Sequence, residues 1–367
     1  MPPPIDVCIR GAGIVGRTLA LLLARERLRV GLVAGPEPAA GHSDLRAYAL
    51  NAASRELLER VRAWPDAVHA TPVLGMEVHG DEGGTVRFSA QAEHVPALAW
   101  IADVPALEQR LAEAVRYQPS IIPLAQPEAA PLTVVCEGRA SATRAEFGVQ
   151  FELTPYGQHA VAARLECEKP HGQLARQWFA DGDITALLPL GGADGNSVAL
   201  VWSVSQERAA ELLALDPADF GQRLQAASHQ ALGRLTLASE RVAWPLQMAR
   251  ADRWCGPGWV LAGDAAHNVH PLAGQGLNLG LADARALAEV LQGRDYWRGA
   301  GDVKLLRRYE RSRKADVLAM GLATDGLQQL FARTEAPWAW VRNWGMKGFE
   351  RSGPVKHWVA RQAMGRL

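Results

Sequence analysis

The first 34 residues alternate between short apolar runs and an apolar segment with helical spacing. Residues 5–10 (IDVCIR) and 28–34 (LRVGLVA) are compact apolar runs, and residues 14–26 between them (IVGRTLALLLARE) carry Leu and Ala at helical spacing. This order of strand, helix and strand is typical of a βαβ unit. The chain is therefore predicted to open with the parallel sheet of an α/β domain.

A different pattern of apolar and polar residues occupies the stretch from about 148 to 205. Alternating runs at 161–165, 177–179 and 198–204 predict strands of a mostly antiparallel sheet. Helical spacing occurs on either side of this stretch and across most of the last 67 residues, and the main helical segments before that region are 51–60, 104–116, 207–230 and 275–292. The pattern thus predicts a parallel α/β domain, an inserted antiparallel sheet and a helical C-terminal region.

Charge and cysteine content narrow the classes of protein that fit this pattern. The 39 Lys and Arg residues balance 39 Asp and Glu residues, and this zero net charge argues against a main role in nucleic-acid binding. The four cysteines are scattered without the spacing of a metal site, which favours reduced thiols and no metal. The start lacks a secretion signal, and no apolar run approaches the roughly 20 residues that cross a bilayer, so we expect a cytoplasmic protein.

Three glycines follow the first predicted strand in the pattern G-x-G-x-x-G, namely Gly11, Gly13 and Gly16. Between a strand and a helix, the first glycine permits a tight turn, the second lets a pyrophosphate approach the backbone, and the third allows close helix–strand packing. The helix N-terminus then offers N–H donors to the phosphates. The motif predicts a dinucleotide site, and the alternative is a glycine-rich turn of an unrelated α/β domain.

Two positions near this motif depart from the usual dinucleotide site. An acidic residue normally ends the second strand and binds the ribose, but Ala34 stands there and the nearest acid is Glu37. Either Glu37 reaches back, or the ribose is held by backbone and water. Arg10, a charge at the end of a buried strand, either faces the phosphates or marks a partly exposed strand end.

A second glycine-rich segment lies between 259 and 280 (WVLAGDAAHNVHPLAGQGLNLG). Its apolar start predicts a strand that delivers the Asp264 carboxylate through a glycine. A turn rich in Pro and Gly then enters a helix at about Gln275, where backbone N–H groups and the helix dipole suit an anion. Asp264 is thus a candidate for binding a sugar-like hydroxyl, whereas His267 and His270 are interpreted as packing and hydrogen-bonding residues rather than acid–base catalysts.

Together, the two motifs resemble the class A flavoprotein monooxygenases, the superfamily of para-hydroxybenzoate hydroxylase. The resemblance implies that Gly263 and Asp264 bind the ribityl chain of FAD. It also implies that the next segment lines the isoalloxazine ring, through Pro271, Gly274, Gln275, Gly276, Leu277 and Asn278. Residues 137–144 (EGRASATR) partly match a third family motif, with Glu in place of Asp, and residues 44–50 (DLRAYAL) resemble the loop whose Arg, here Arg46, contacts FAD.

Further segments are similar to the ubiquinone-biosynthesis hydroxylases of that superfamily, so that the likeness covers nearly the whole chain. They are 156–158, 170–171, 177–179, 187–190, 201–203, 324–327 and 354–356. The resemblance implies an α/β fold with a Rossmann-like FAD-binding domain, an inserted, mostly antiparallel β-sheet substrate domain and C-terminal helices. The implied division assigns 1–70, 101–147 and 246–300 to the FAD-binding domain, 71–100 and 148–245 to the substrate domain, and 301–367 to the helical region.

The chemistry that the resemblance implies is hydroxylation of an aromatic ring by the flavin C4a-hydroperoxide, with FAD, O2 and either NADPH or NADH. Because the flavin carries this chemistry, no side chain is predicted to be catalytic. The substrate would lie between the flavin and the antiparallel sheet, with candidate contacts at Trp178, Leu187, Pro189 and Trp202. Each of these four is also a candidate for the hydrophobic core, which is the commoner place for such residues.

Departures from the family pattern occur in and after the helix at 104–116. Pro105 stands where family members often carry an FAD-contacting Arg, and the stretch 118–136 is shorter than in relatives, which usually place several strands there. We expect a trimmed meander, with either a more open site or a partner that covers it.

The C-terminal region combines positive charge with tryptophan. From residue 301 onward there are 13 Lys and Arg against 6 Asp and Glu, an excess of seven positive charges, and four of the 12 Trp residues, namely Trp338, Trp340, Trp344 and Trp358. Trp and basic residues are both favoured at membrane interfaces, so 336–367 is a candidate for peripheral contact with the inner face of the membrane. The alternative is a helical cap on the FAD domain or a subunit interface.

Three functions fit these observations. The leading hypothesis is an FAD-dependent hydroxylase that acts on a small, polyprenylated aromatic intermediate of ubiquinone biosynthesis, within a complex of other quinone-biosynthesis proteins. A non-catalytic scaffold that keeps the fold is the second, since the ribose acid is missing and the third motif is imperfect. A hydroxylase of a soluble aromatic acid is the third.

Overall fold

The computed structural model describes residues 4–35, 44–80, 83–268 and 275–332. The strands are β1 Val7–Arg10, β2 Val30–Val33, β3 Ala47–Leu50, β4 Ala70–Val73, β5 Gly75–His79, β6 Thr85–Ser89, β7 Ala99–Asp103, β8 Ile121–Leu124, β9 Leu132–Val135, β10 Phe151–Cys167, β11 Leu174–Ala180, β12 Asp183–Leu190, β13 Ser197–Ser205, β14 Leu235–Leu237, β15 Val242–Ala251, β16 Cys255–Gly256, β17 Trp259–Leu261 and β18 His267–Asn268. The helices are α1 Ile14–Arg25, α2 Ala52–Arg60, α3 Val104–Arg116, α4 Ala142–Glu146, α5 Gln206–Ala214, α6 Pro217–Ala227, α7 Gln275–Gln292 and α8 Val303–Ala332, with short 3₁₀ turns at Ala67–His69 and Gly263–Ala265.

The first sheet has six strands in the order β16-β17-β9-β1-β2-β8, and all except β16 run parallel. Its strands are short apolar runs because they are buried, and α1, α3 and α7 pack with them in the largest core cluster. β1 lies in the middle, so the loop that follows it opens at the carboxyl edge of the sheet. This edge is where open parallel sheets bind their ligands.

The second sheet is mostly antiparallel and contains the strands from β10 to β13, together with β5, β6, β15 and β18. One of its faces is covered by α5 and α6, in a second core cluster that includes Leu165, Leu200 and Phe220. The opposite face packs on the third sheet, of order β3-β7-β4, through contacts such as Ile101 with Ala199. The α/β fold with an inserted, mostly antiparallel sheet is thus confirmed.

The helical run predicted over 207–230 is divided into α5 and α6. The break occurs because Asp216 is extended and its side chain accepts hydrogen bonds from the N–H groups of Ala218 and Asp219, while Pro217 occupies the first turn of α6. Both are helix-start signals. They end the first helix at Ala214 and restart the second three residues later.

The stretch between α3 and residue 137 is as short as the sequence indicated. β8 is followed by seven residues, 125–131, and then directly by β9. On this side of the parallel sheet a small cluster forms from Ile5, Cys8 and Val33, with Ile122 and Leu124 packed against it. This face therefore carries a much smaller core than the helix-covered face.

Among the residues described above, no helix has both the length and the apolar character that crossing a membrane requires.

Candidate cofactor site

The N-terminal glycine motif forms a tight turn between β1 and α1. Gly11 has a φ of +108° and its backbone lies so close to Cys136 that a Cβ would be 2.3 Å from the Cys136 carbonyl oxygen. A Cβ at Gly16 would lie 1.9 Å from the carbonyl oxygen of Gly11. Both positions therefore require glycine for packing, and Gly11 also requires it for backbone conformation.

Gly13 differs from these two glycines because a side chain at this position would meet open space. It caps α1 with extended backbone, it is exposed, and no heavy atom lies within 4 Å of where its Cβ would be. The free N–H groups of the first turn of α1 are therefore open to an anion that approaches the backbone closely.

The Gly-Asp segment lies beside this turn. Gly263, with a φ of +63°, follows β17 and contacts Val15 of α1, and Gly280 of α7 contacts the same Val15, with a Cβ–Cγ2 distance of 2.8 Å if a Cβ were present. The two glycines thus allow α7 and the Gly-Asp turn to approach α1 closely. The structure in this way brings together two motifs that are about 250 residues apart in the chain.

A buried ionic network holds the Gly-Asp turn from behind. The Asp283 carboxylate accepts hydrogen bonds from the Gly263 N–H at 2.9 Å, from the Arg313 Nε at 2.7 Å, and pairs with His267 Nε2 at 2.6 Å. Asp283, His267 and Arg313 are all buried, and Trp254 stacks on the His267 ring. Burial tends to raise the pKa of Asp283, but His267 and Arg313 outweigh it, so the pKa lies below the usual range of Asp.

The third motif is intact in geometry despite its Glu. The Glu137 carboxylate accepts hydrogen bonds from the hydroxyls of Ser141 and Thr143 and from the Thr143 N–H, while Ser141 caps α4. Arg144, which ends the motif, donates a hydrogen bond of 3.0 Å to the carbonyl oxygen of Ala265. The motif therefore buttresses the turn that carries Asp264, and the Glu serves this purpose as an acceptor.

Asp264 itself lies in the short 3₁₀ turn that follows β17. Its side chain is exposed and makes no hydrogen bond to any residue that the structure describes. Even so, the surrounding protein desolvates the carboxylate and raises its pKa, an effect opposed by the positive field of His267, Arg139 and Arg46. Tyr48 lies within the same field, and burial raises the pKa of its phenol.

Arg46 is held by a bidentate pair with Asp44. Its Nε lies 2.8 Å from Asp44 Oδ1 and its Nη2 lies 2.5 Å from Asp44 Oδ2, an arrangement that raises the pKa of the guanidinium. The Arg46 side chain is 49% exposed, so part of the guanidinium is accessible to a ligand. Arg46 thus lies close enough to Asp264 to influence its charge, and it is oriented by Asp44, while its contact with FAD stays a prediction.

The start of α7 carries the remaining predicted cofactor residues that the structure describes. Gly276 has no heavy atom within 4 Å of where a Cβ would lie, and Leu277 is half-buried against the main core. Asn278 is buried: its Oδ1 accepts from the Asn51 N–H and the Ser54 hydroxyl, and its Nδ2 donates to the Ala49 carbonyl oxygen. Asn278 therefore ties α7 to β3 and α2, and its direct contact with a cofactor stays a prediction.

Several positions singled out in the sequence lie outside the described residues. They are Pro271, Gly274, Glu37, His270, the side chain of Gln275 and the segment 336–367. Arg10 is described: its Nη1 donates to Thr143 Oγ1 at 2.8 Å and pairs with Glu146 at 2.9 Å. Of the two alternatives left open for Arg10, it is therefore a partly exposed strand end that pairs with α4.

The four residues suggested as substrate contacts belong to the core. Trp178, Leu187 and Trp202 all lie in the cluster between the second sheet and its covering helices, and strand alternation puts the buried Pro189 on the same face as Leu187. Their burial agrees with the core role that the sequence left as the alternative, and the substrate contacts stay a prediction, because period-two alternation shows which residues share a face but not which face meets a ligand.

The opposite face of the second sheet carries small residues. Ala160 and Ala162 of β10, together with Val201 and Ser203 of β13, alternate with the core residues and form cross-strand pairs there. Trp244 of β15 is paired with Ala160 and shares its face, and it is only half-buried. These residues were missed from the sequence, since alanine and serine give no chemical signal there.

The described residues fit a bound FAD. A phosphate can approach open backbone at Gly13, a polyol hydroxyl can donate to the free Asp264 carboxylate, and Gly276 leaves space at the start of α7. Positive charge from Arg46 and Arg139 surrounds this cleft. The described residues therefore fit a phosphate near Gly13 and a polyol near Asp264.

Comparison with known proteins agrees with this geometry. A model of the FAD binding domain family matches residues 127–321. The ubiquinone hydroxylase UbiL of Rhodospirillum rubrum is 32% identical over 392 residues, covering 99% of this chain and 90% of the relative. The 3-demethoxyubiquinol 3-hydroxylase of Escherichia coli K12 is 31% identical over 391 residues, covering 99% of both.

Among solved structures, PqsL of P. aeruginosa in complex with 2-aminobenzoylacetate shares the fold. It matches with a TM-score of 0.77 and 24% identity, covering 92% of this chain and 99% of PqsL. The predictions of an FAD-binding domain and of an oxidoreductase are confirmed. Since the family match spans more than half of the chain and both relatives align with nearly all of it, the protein belongs to the class A FAD-dependent aromatic monooxygenases, in the subfamily of the ubiquinone-biosynthesis hydroxylases.

Proposed function

We propose that the protein hydroxylates the aromatic ring of a polyprenylated phenol in ubiquinone biosynthesis, with O2 as oxidant and NADPH or NADH as electron donor. The observation that carries the proposal is the full-length similarity to two relatives named for ubiquinone hydroxylation. Open backbone at Gly13, the exposed Asp264 carboxylate and the space at Gly276 support it.

The bound flavin would supply the oxygen-activating chemistry, and the chain would bind, orient and exclude water. Asp264 would accept a hydrogen bond from a ribityl hydroxyl. Arg46, held by Asp44, would face the cofactor with its remaining donors. The start of α7 would present its N–H groups and positive dipole end to the flavin ring. Pro271, Gly274 and Gln275 remain proposals for this ring site.

The aromatic substrate would lie on the small-residue face of the second sheet. Ala160, Ala162 and Ser203 are small side chains on that face, and the half-buried Trp244 offers a ring for stacking. This assignment is an alternative to the contacts predicted on the helix-covered face. In the same proposal, 1–70, 101–147 and 246–300 form the FAD-binding domain, 71–100 and 148–245 form the substrate domain, and 336–367 contacts the membrane or other quinone-biosynthesis proteins.

The proposal is tested by profiling quinone intermediates in a deletion strain. We expect a polyprenylphenol that lacks one hydroxyl to accumulate, and the wild-type gene to reverse this. An Asp264→Ala gene should fail to restore the profile although its product is expressed. An unchanged quinone profile in the deletion strain would reject the role in ubiquinone biosynthesis.

The visible spectrum of the purified protein separates an enzyme from a scaffold. A yellow protein with near-stoichiometric flavin supports the enzyme. A colourless protein that cannot be reconstituted with FAD would instead favour the non-catalytic scaffold.

A further inference from the structure

A basic face runs along the first turns of α8. Lys304, Arg307, Arg308 and Arg311 are spaced so that all four point to one side of the helix. The opposite side is buried and carries residues such as Leu306, Tyr309 and Val317. We call the four cations the α8 basic face.

The cations of this face are not neutralised by the described part of the chain. Other basic residues nearby are paired: Lys314 with Glu310 at 2.7 Å, and Arg298 with Asp295 and Asp302 at 3.0 Å each. Glu310 lies among the four cations, but it is committed to Lys314 and to the Trp254 N–H. None of the four cations has an ion pair with a described residue, so the face projects a concentrated positive field.

Two exposed aromatic rings precede this face. Tyr296 and Trp297, in the turn between α7 and α8, are 95% and 66% exposed, and their rings meet edge to face at 4.9 Å. The turn is fixed by Arg298, which bonds to Asp295 on one side and to Asp302, at the start of α8, on the other. Two adjacent aromatic rings exposed on one turn form an apolar patch of the kind that marks interaction sites.

We infer that this turn and the α8 basic face dock on an anionic lipid bilayer. Tyr and Trp are the residues favoured at the level of the lipid headgroups, and cations beside them are attracted to anionic lipid. A bilayer suits this surface better than an acidic protein, because both rings are largely exposed and a headgroup layer accepts projecting rings without a complementary shape. Leu318, 52% exposed on the same side of α8, extends the surface with an apolar residue.

This surface lies outside the 336–367 segment, and its docking on a bilayer does not depend on a bound substrate. Vesicle binding can therefore be measured whether or not the protein hydroxylates a polyprenylphenol. Failure of the hydroxylase proposal would leave the bilayer proposal standing, and the reverse also holds.

The test uses the full chain with bound FAD and co-sedimentation with vesicles. One set of vesicles contains phosphatidylglycerol in phosphatidylcholine, and the other is pure phosphatidylcholine. The charge variant is Arg307→Glu/Arg308→Glu/Arg311→Glu, and the aromatic variant is Tyr296→Ala/Trp297→Ala. A matched control, Arg62→Glu/Arg116→Glu/Arg223→Glu, makes the same change of net charge at exposed arginines of other parts of the surface.

We expect the wild type to pellet with anionic vesicles and to be released by salt. Since each cation near an anionic surface contributes about a fivefold change in partitioning, the charge variant should bind about 100-fold more weakly. The aromatic variant should also bind less, while the control binds like the wild type. Thermal unfolding confirms that each variant is folded.

Equal binding by the charge variant and the wild type would overturn the proposal, as would equal binding to neutral vesicles or no vesicle binding at all. The bilayer proposal is also wrong if the wild type does not bind vesicles but binds an acidic protein that the charge variant does not bind. The face is then a protein-docking surface.

Discussion

Gly13 and Gly16 are only three residues apart, but their missing side chains serve different purposes. Gly13→Ala should fold, at a cost of about 1 kcal/mol or less, because its Cβ would enter open space and alanine is merely a poorer helix cap. The new methyl group would occupy the path of the phosphate, so FAD affinity should fall by at least about tenfold. Flavin fluorescence titration measures the affinity, and thermal unfolding of the apoprotein measures the fold.

Gly16→Ala is the comparison variant. Its Cβ would overlap the carbonyl oxygen of Gly11, so the apoprotein should lose about 3 kcal/mol of stability. If Gly13→Ala and Gly16→Ala lose stability equally, the distinction between a ligand glycine and a packing glycine is wrong.

Asp264 is expected to hold FAD through its charge. Asp264→Asn should weaken FAD binding about tenfold and Asp264→Ala about 100-fold, because a hydrogen bond to a charged acceptor is replaced by a neutral one or lost. Asp194→Asn, a change at an exposed site, serves as the control. Unchanged flavin affinity in both Asp264 variants would contradict the assignment.

The raised pKa of Asp264 gives this binding a pH dependence. On acidification, the carboxylate takes up its proton at a higher pH than an ordinary Asp, so FAD affinity should already fall there, while Asp264→Asn should show no such fall. In the apoprotein the sign is reversed: the group favours the folded state at low pH, and that contribution is lost as pH rises through its raised pKa. Flavin titrations across the acidic range test the first curve, and chemical denaturation of the apoprotein over the same range tests the second.

At the scale of single residues, the sequence predicted the location of the glycines that belong to a motif. Gly11, Gly16 and Gly263 are placed as the pattern indicated, because a tight turn or a close contact allows little else there. Asn278 carried the same family signal, but it bonds to protein groups of two other elements. Motif spacing cannot reveal such bonds, because the partners are more than 200 residues away.

The elements around the cofactor cleft are joined by the ion network of β17, α7 and α8. Asp283→Asn should lower stability by about 3 kcal/mol, since Arg313 stays buried with less compensation, and it should also weaken FAD binding by loosening the Gly263 turn. Asp316→Asn is a matched control because Asp316 pairs with the same Arg313 from an exposed position, and it should cost less than about 1 kcal/mol. Chemical denaturation with and without FAD measures the stability of both variants. Equal losses of stability in Asp283→Asn and Asp316→Asn would contradict the account.

The sign of the pH effect of Asp283 follows from its lowered pKa. Its contribution to stability is present above the ordinary Asp pKa of about 3.9 and is lost as pH falls through the lower pKa of the folded state. The stability difference between wild type and Asp283→Asn should therefore narrow only in strongly acidic solution. A difference that narrows near neutral pH would argue against a pKa lowered by His267 and Arg313.

The two faces of the second sheet predict different outcomes for two tryptophans. Trp202→Ala should destabilise the protein by about 3–5 kcal/mol, because Trp202 is fully buried beside Phe220. Trp244→Ala should cost far less and should raise KM for the aromatic substrate. The pair is measured by unfolding and by steady-state kinetics, and a KM effect confined to Trp202→Ala would place the substrate on the other face.

At the scale of elements, periodicity predicted the type of most helices and strands but not their partners. The βαβ opening and α3 agree closely with the sequence pattern, because their apolar spacing is regular. The break at Asp216 was missed, although an Asp-Pro pair is a recognisable start signal. Which face of the antiparallel sheet meets the cofactor depends on tertiary packing, which an alternating pattern leaves open.

The whole molecule is organised around the gap between the parallel sheet and the antiparallel sheet. The Gly-Asp turn, the Glu137 motif and the glycine turn all meet at the parallel sheet. The small-residue face of the second sheet packs on the third sheet, which Asn278 ties to α7. The zero net charge conceals the unpaired cations of the α8 basic face, so total composition alone did not indicate that surface.

The central claim is that this chain binds FAD in that gap and uses it to transfer an oxygen atom from O2 to a phenol ring. The most direct measurement incubates the FAD-reconstituted protein with NADPH or NADH, a short-chain polyprenylphenol and ¹⁸O2, followed by mass spectrometry of the product. The account predicts a product that carries one ¹⁸O in a new ring hydroxyl, and no such product from Asp264→Ala under the same conditions. A flavin-replete protein that yields no hydroxylated product, or a product whose new oxygen comes from water, would contradict it.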